Sequence, residues 1–144
     1  MTSIRTAGAL EYKSIRVGRV FSFKRHISKN DVADFARLTG DYNPLHLDDT
    51  FGRDAGFKGS IIHGMLAASL FSTLAGMYCP GRYSLIISQE IKYIKPVRPG
   101  SDVIVRGKVV GKIDAVKVLV VANSICGKDG KVLVDGITKI KVMR

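Results

Sequence analysis

Cysteine is scarce in this 144-residue chain: Cys79 and Cys126 stand far apart and form no CxxC pair. That excludes a disulfide framework and a cysteine-based zinc site, and two buried thiols in a reducing compartment are expected. No apolar core of a signal peptide stands in the first sixteen residues, which carry Arg5, Lys13 and Arg16 with one acid, Glu11. A secretory signal is not expected there, although the segment is faintly like a mitochondrial presequence. No basic run and no aromatic-rich RNA-binding pattern accompanies the net charge of +11, from 23 Lys and Arg against 12 Asp and Glu. Such charge suits an anionic partner, but its even spread argues against direct nucleic-acid binding. Neither a glycine-rich phosphate fingerprint nor a motif of clustered metal ligands is visible, so no metal and no redox cofactor is expected. Residues 59–81 lack Asp, Glu, Lys and Arg altogether. That matches the ~20 residues of a transmembrane helix. The stretch also holds His63, Gly64, Ser69, Ser72, Thr73, Gly76 and Pro80, which suit a helix packed closely on a sheet, so no membrane span is expected.

What is present reads as one globular domain over 1–144, with 1–16 expected to be loosely ordered. Val17–Phe23 alternates weakly and predicts a first strand. Ser28 with Asp31 three positions on is a variant capping box. Val32, Phe35, Ala36 and Thr39 follow at helical spacing, and Gly40 is placed to end that helix in the left-handed conformation. Leu47–Lys58 is polar, with one helical turn expected around Asp49–Ala55. Gly64–Tyr78 is an apolar helix closed by the Pro80-Gly81 turn. Strands are then expected over Tyr83–Ile94, Val103–Ile113, Val116–Cys126 and Val132–Val142. Val103, Val105, Gly107 and Val109 share one face, and Lys128-Asp129-Gly130 turns the last hairpin. The fold class is α+β: a sheet of about five strands around a helix enclosed on nearly all sides. Its edge strand needs cover, so a homodimer is expected.

Two clusters carry chemistry. In Gly40-Asp41-Tyr42-Asn43-Pro44-Leu45-His46 a carboxylate and an imidazole flank a stiff turn, because Pro44 fixes its own φ and extends Asn43. The Asn43 side chain can cap local backbone groups. An acid and an imidazole sharing one water can take one proton and deliver another. Alternatively, Asp41 and Asn43 only satisfy the turn and His46 is a surface residue. In Ile62-His63-Gly64-Met65, a glycine opens the apolar helix. Free N–H groups there, aided by the helix dipole, can hold a carbonyl oxygen that gains charge. Gly64 is equally readable as a packing point, and His63 as a satisfied core histidine.

Together these motifs resemble the MaoC-like (R)-specific enoyl-CoA hydratases and the related 3-hydroxyacyl-thioester dehydratases of fatty acid metabolism. The likeness runs from about Val17 to Val142 and includes Ser69-Leu70-Phe71-Ser72 and Ser88-Gln89. It implies the hotdog fold, a curved antiparallel sheet around a central helix. Asp41 then resembles the catalytic aspartate and His46 the catalytic histidine. The Gly64 N–H resembles the oxyanion donor, Asn43 the residue supporting the loop, and Ser72 a helix serine associated with the site. Gly52 departs from the Ala or Ser of the family pattern, which predicts a looser helical turn. The implied reaction is reversible hydration of a trans-2-enoyl thioester of coenzyme A or acyl carrier protein, without cofactor. Lys92, Lys95 and Arg98 near the Pro96 corner are candidate contacts to that anionic carrier, or simply a solvated basic face. Acyl-chain length would depend on packing around Leu66 and Leu70.

Two other readings compete. Hotdog thioesterases place a carboxylate on or near the central helix, and residues 59–81 contain none. A non-catalytic acyl- or RNA-binding domain would be expected to lack Asp41 or His46. The expected location is intracellular, the cytoplasm first and the mitochondrial matrix as the alternative.

Overall fold

β-branched, alternating segments build the sheet. A computed structural model describes residues 5–144. Its five strands are β1 (Val20–Ile27), β2 (Ser84–Tyr93), β3 (Ser101–Ile113), β4 (Val118–Gly127) and β5 (Val132–Val142). They form one antiparallel sheet in the order β1-β3-β4-β5-β2, which leaves β1 and β2 at the edges. Val103, Val105, Gly107 and Val109 all face inward, as the alternation requires. β1 starts three residues later than expected and runs to Ile27. Gly18, at φ 91°, turns the chain there before pairing begins.

Four α-helices are found among the described residues: α1 (Lys29–Thr39), α2 (Pro44–Leu47), α3 (Asp49–Asp54) and α4 (Gly64–Thr73). The Ser28 hydroxyl accepts the Asp31 N–H at 3.1 Å, and the Asp31 carboxylate accepts the Ser28 N–H at 2.8 Å. That second bond is the main reason the Asp31 carboxyl sits below its ordinary range. Gly40, at φ 78°, ends α1 as its position predicts. The turn α3 forms despite Gly52, and the reason is packing. A Cβ on this buried residue would lie 2.2 Å from the Gly59 carbonyl oxygen, so the glycine admits a close backbone crossing.

The central helix departs from expectation in two ways. After Thr73 it widens into a π turn over Leu74–Tyr78. It is also not enclosed on all sides. Ala67, Phe71 and Leu74 pack on Val103, Val105, Ile125 and Val134, while Ala75 and Cys79 pack on Leu119, Val121 and Ile140. Met65, Ser69 and Ser72, spaced by four and three residues, are exposed. A single sheet layer covers one side of a helix, and the other side stays open.

The N-terminal segment is also more ordered than expected from Gly8 onward. Gly8 donates to the Met77 carbonyl at 2.9 Å, and Ala9 bridges Gly81. Tyr12 and Ile15 are buried in the second core cluster. Their apolar bulk is what a charge count of this segment overlooks; residues 1–4 lie outside the described residues. Cys79 is buried, which pushes its thiol up to about 11, whereas Cys126 is only half-buried. Among the described residues no helix is long and apolar enough to cross a membrane.

Candidate active site

The loop after α1 is built by local hydrogen bonds. The Asp41 N–H reaches the Thr39 hydroxyl at 3.3 Å, and the Asn43 N–H donates to Asp41 Oδ1 at 3.2 Å. Asn43 caps α2: its side-chain oxygen accepts the Leu45 N–H at 3.0 Å, with Pro44 in the first turn. Its carbonyl also accepts the His46 N–H at 3.0 Å. Asn43 thus makes bonds on both sides of the turn.

A second set of bonds ties this loop to the segment leading into α4. The Ile61 N–H donates to the Leu45 carbonyl at 3.1 Å, and His46 Nδ1 donates to the Ile61 carbonyl at 2.8 Å. A carbonyl only accepts, so Nδ1 carries a proton, and in the neutral ring Nε2 keeps its lone pair. Nearby, Asp49 Oδ1 accepts both the Ser60 N–H and its hydroxyl at 2.9 Å, and Lys29 Nζ lies 3.3 Å from Oδ2. These bonds, the Ser60 N–H first, hold the Asp49 carboxyl well below the usual carboxylate range. α1, α3 and the approach to α4 are thereby clamped together.

Asp41, His46 and His63 converge. One ligand-type atom from each lies within 4.8 Å of the other two. This corrects the expectation that no metal ligands cluster, because positions 41, 46 and 63 form no linear motif and meet only through the fold. Both imidazoles already donate to carbonyls: His46 Nδ1 to Ile61, and His63 Nε2 to Asp41 at 2.9 Å. Besides the buried His63 Nδ1, which has no partner among the described residues, the cluster offers a ligand the half-exposed Asp41 carboxylate and His46 Nε2.

Gly64 begins α4, and its N-cap residue, His63, makes no capping bond with its side chain. The first N–H groups of a helix have no partner within the helix. Gly64 and His46 share the wall of a cavity of about 580 Å³ with Phe57, Met65, Tyr93 and Lys95. Asp41 reaches the two imidazoles from outside that wall. The Tyr93 ring lies on Gly64, where a Cβ would come within 2.8 Å of Cε1, and its hydroxyl contacts Met65 Sδ at 3.5 Å. Tyr93 and Phe57 were not legible from sequence; only their aromatic character near the Pro96 corner and after α3 pointed to them.

Three sequence expectations meet a different placement. Ser72 is exposed on the open side of α4 and does not line this cavity. Leu66 and Leu70 line a larger groove, about 680 Å³, between β1, α1 and α4 that contains none of Asp41, His46 and Gly64. Of the three basic residues near the corner, only Lys95 borders the cavity, while Arg98 packs over Gly59.

Comparison with known proteins identifies the fold and the family. The model of the MaoC like domain matches residues 13–126. The chain is 33% identical over 130 residues to the (R)-specific enoyl-CoA hydratase of Aeromonas caviae, covering 90% of this chain and 97% of that protein. It is 35% identical to a 3-hydroxybutyryl-CoA dehydratase of Methylorubrum extorquens, over 92% of this chain and 84% of the relative. A mitochondrial 3-hydroxyacyl-acyl-carrier-protein dehydratase of Solanum lycopersicum is 30% identical, over 85% and 74%. A solved structure of the A. caviae (R)-hydratase involved in PHA biosynthesis matches with a TM-score of 0.87 at 33% identity, covering 90% of this chain and 98% of that one. The sheet wrapped on one helix is therefore the hotdog fold, and the chain belongs to the MaoC-like family of hydratases and dehydratases.

Proposed function

We propose that this protein is a hydro-lyase that interconverts trans-2-enoyl and (R)-3-hydroxyacyl thioesters. The observation that carries the reading is that Asp41 converges with His46 and His63, while His46 and Gly64, 18 positions apart in the chain, share one cavity wall. A water held between the Asp41 carboxylate and His46 Nε2 gives its oxygen to C3 of the enoyl group. The C2=C3 electron pair moves toward the thioester carbonyl, and the dyad returns a proton to C2. All atoms of the water end in the product. Charge that develops on the carbonyl oxygen meets the Gly64 N–H at the positive end of α4. One such donor is worth about 3 kcal/mol of barrier. Dehydration is the same path in reverse.

The substrate is an acyl thioester of coenzyme A or of acyl carrier protein, the two carriers in the names of the relatives. Their anionic character suits the +11 charge and Lys95 at the cavity edge. A homodimer is supported by the free edge of β2 and by exposed apolar side chains, Leu85 and Ile87 on that strand at 52% and 53% and Met65 on α4. We place the reaction inside the cell, in the cytoplasm first, with the mitochondrial matrix as the alternative.

The test is hydration of crotonyl-CoA by the purified protein, followed by chiral analysis of the 3-hydroxybutyryl product. Loss of the enoyl absorbance with an (R) product is expected. An (S) product, or no hydration at all, overturns the reading.

A further inference from the structure

His63 is a poor fit to the part of an ordinary core histidine. It is 2% exposed, yet its Nδ1 has no partner among the described residues. A buried polar atom left unpaired costs about 1–3 kcal/mol, which an apolar residue of similar volume would avoid. What an apolar residue would not do is visible on the other side of the ring. Nε2 donates to the Asp41 carbonyl at 2.9 Å and lies 3.9 Å from Asp41 Oδ2. The ring packs on His46 with centroids 3.9 Å apart, and Phe35 backs it at 4.9 Å.

We propose that His63 is a positioning residue for the hydration reaction: its Nε2–H fixes the Asp41 backbone while its ring carries the ring of His46. Both members of the dyad are then held in one geometry by the residue that immediately precedes Gly64. The need for such a hold follows from Asp41 itself. Its carboxylate is half exposed and accepts one hydrogen bond, from the Asn43 N–H, so its place depends on where the backbone sits. A displacement of about 1 Å at a reacting group costs about 100-fold in rate. This proposal rests on the hydratase reading, and its test separates the two.

Three variants distinguish positioning from packing. The terminal amide nitrogen of Gln reaches about as far from the backbone as His Nε2, whereas that of Asn reaches only as far as Nδ1, and Leu has no donor. His63→Leu and His63→Asn are expected to lower kcat on crotonyl-CoA by about 100-fold with KM within about threefold, because binding surfaces stay in place. His63→Gln is expected to recover at least about tenfold of that loss, in proteins shown by circular dichroism to be folded. A kcat within about threefold of wild type in folded His63→Leu overturns the proposal. If His63→Leu does not fold, the pair of polar variants decides, and equal activity of His63→Gln and His63→Asn overturns it. A wild-type protein without hydratase activity refutes the functional reading instead. The geometry is then tested without turnover by nitrogen-resolved NMR of the imidazoles. Protons on His63 Nε2 and His46 Nδ1 are expected, and a neutral His63 carrying its proton on Nδ1 overturns the proposal.

Discussion

Replacing Asp41 by Asn separates chemistry from stability. The carboxylate is 52% exposed, and its one hydrogen bond, from the Asn43 N–H at 3.2 Å, can be accepted equally by the amide oxygen. The backbone carbonyl of residue 41 keeps its bond from His63. Exposed isosteric changes of this kind move stability by within about 0.5 kcal/mol, so the melting temperature should shift by no more than about 2 °C. The amide, however, neither takes a proton from water nor gives one to C2. General acid–base assistance is worth about 100- to 10,000-fold, which is about 2.7 to 5.5 kcal/mol of barrier. The assay is kcat from the loss of crotonyl-CoA absorbance, measured beside thermal unfolding by circular dichroism. In the proposed mechanism the dyad works on one water, so the Asp41→Asn, His46→Gln double variant should be little slower than the worse single one. A cooperatively folded Asp41→Asn enzyme with kcat within about threefold of wild type would refute the assignment of Asp41.

Three further outcomes follow from particular contacts. Gly64→Ala puts a Cβ 2.8 Å from the Tyr93 ring, which is half exposed and can swing away. Activity should therefore fall more than stability, and adding Tyr93→Ala should restore part of it; a lone Gly64→Ala variant with normal kcat and KM would contradict this account. Asp49→Asn removes a carboxylate whose titration is depressed in the folded state by the Ser60 N–H, the Ser60 hydroxyl and Lys29. Such a group stabilises the fold fully above its unfolded value of about 4 and loses that effect as the pH falls through its lower folded value. In urea titrations the wild type should exceed the variant at pH 7 and converge on it in strong acid, and a constant gap would exclude Asp49 as the cause. Finally, a thiol reagent should modify half-buried Cys126 in the native protein while Cys79, buried with its thiol pushed up to about 11, reacts only on unfolding. Rapid native modification of Cys79, mapped by mass spectrometry, would show that its burial is not maintained.

Features that depend on neighbours in the chain were legible from residues alone. The Ser28–Asp31 cap, the Gly40 stop, the stiff Asn43-Pro44 turn and the alternation of β3 all came from local sterics and short-range hydrogen bonds. For that reason the five strands, the central helix and the resemblance carried by the Asp41–His46 stretch were readable without coordinates. Boundaries slipped where one residue redirects the chain, as Gly18 does before β1.

Contacts between distant segments needed the fold. No spacing rule relates residues 41, 46 and 63; the bonds from Ile61 to Leu45, from His46 to Ile61 and from His63 to Asp41 bring the loop against the start of α4. The same holds for Gly52, whose departure from the family pattern is explained by the Gly59 carbonyl crossing above it. It holds as well for Tyr12 and Ile15, core residues in a segment whose charges suggested looseness. Local chemistry thus set which residues could act as acid, base and oxyanion donor. Tertiary packing decided that Asp41, His46 and His63 converge, that His46 and Gly64 wall one cavity, and that one side of α4 stays open, because distance in the chain carries no information about distance across a folded sheet.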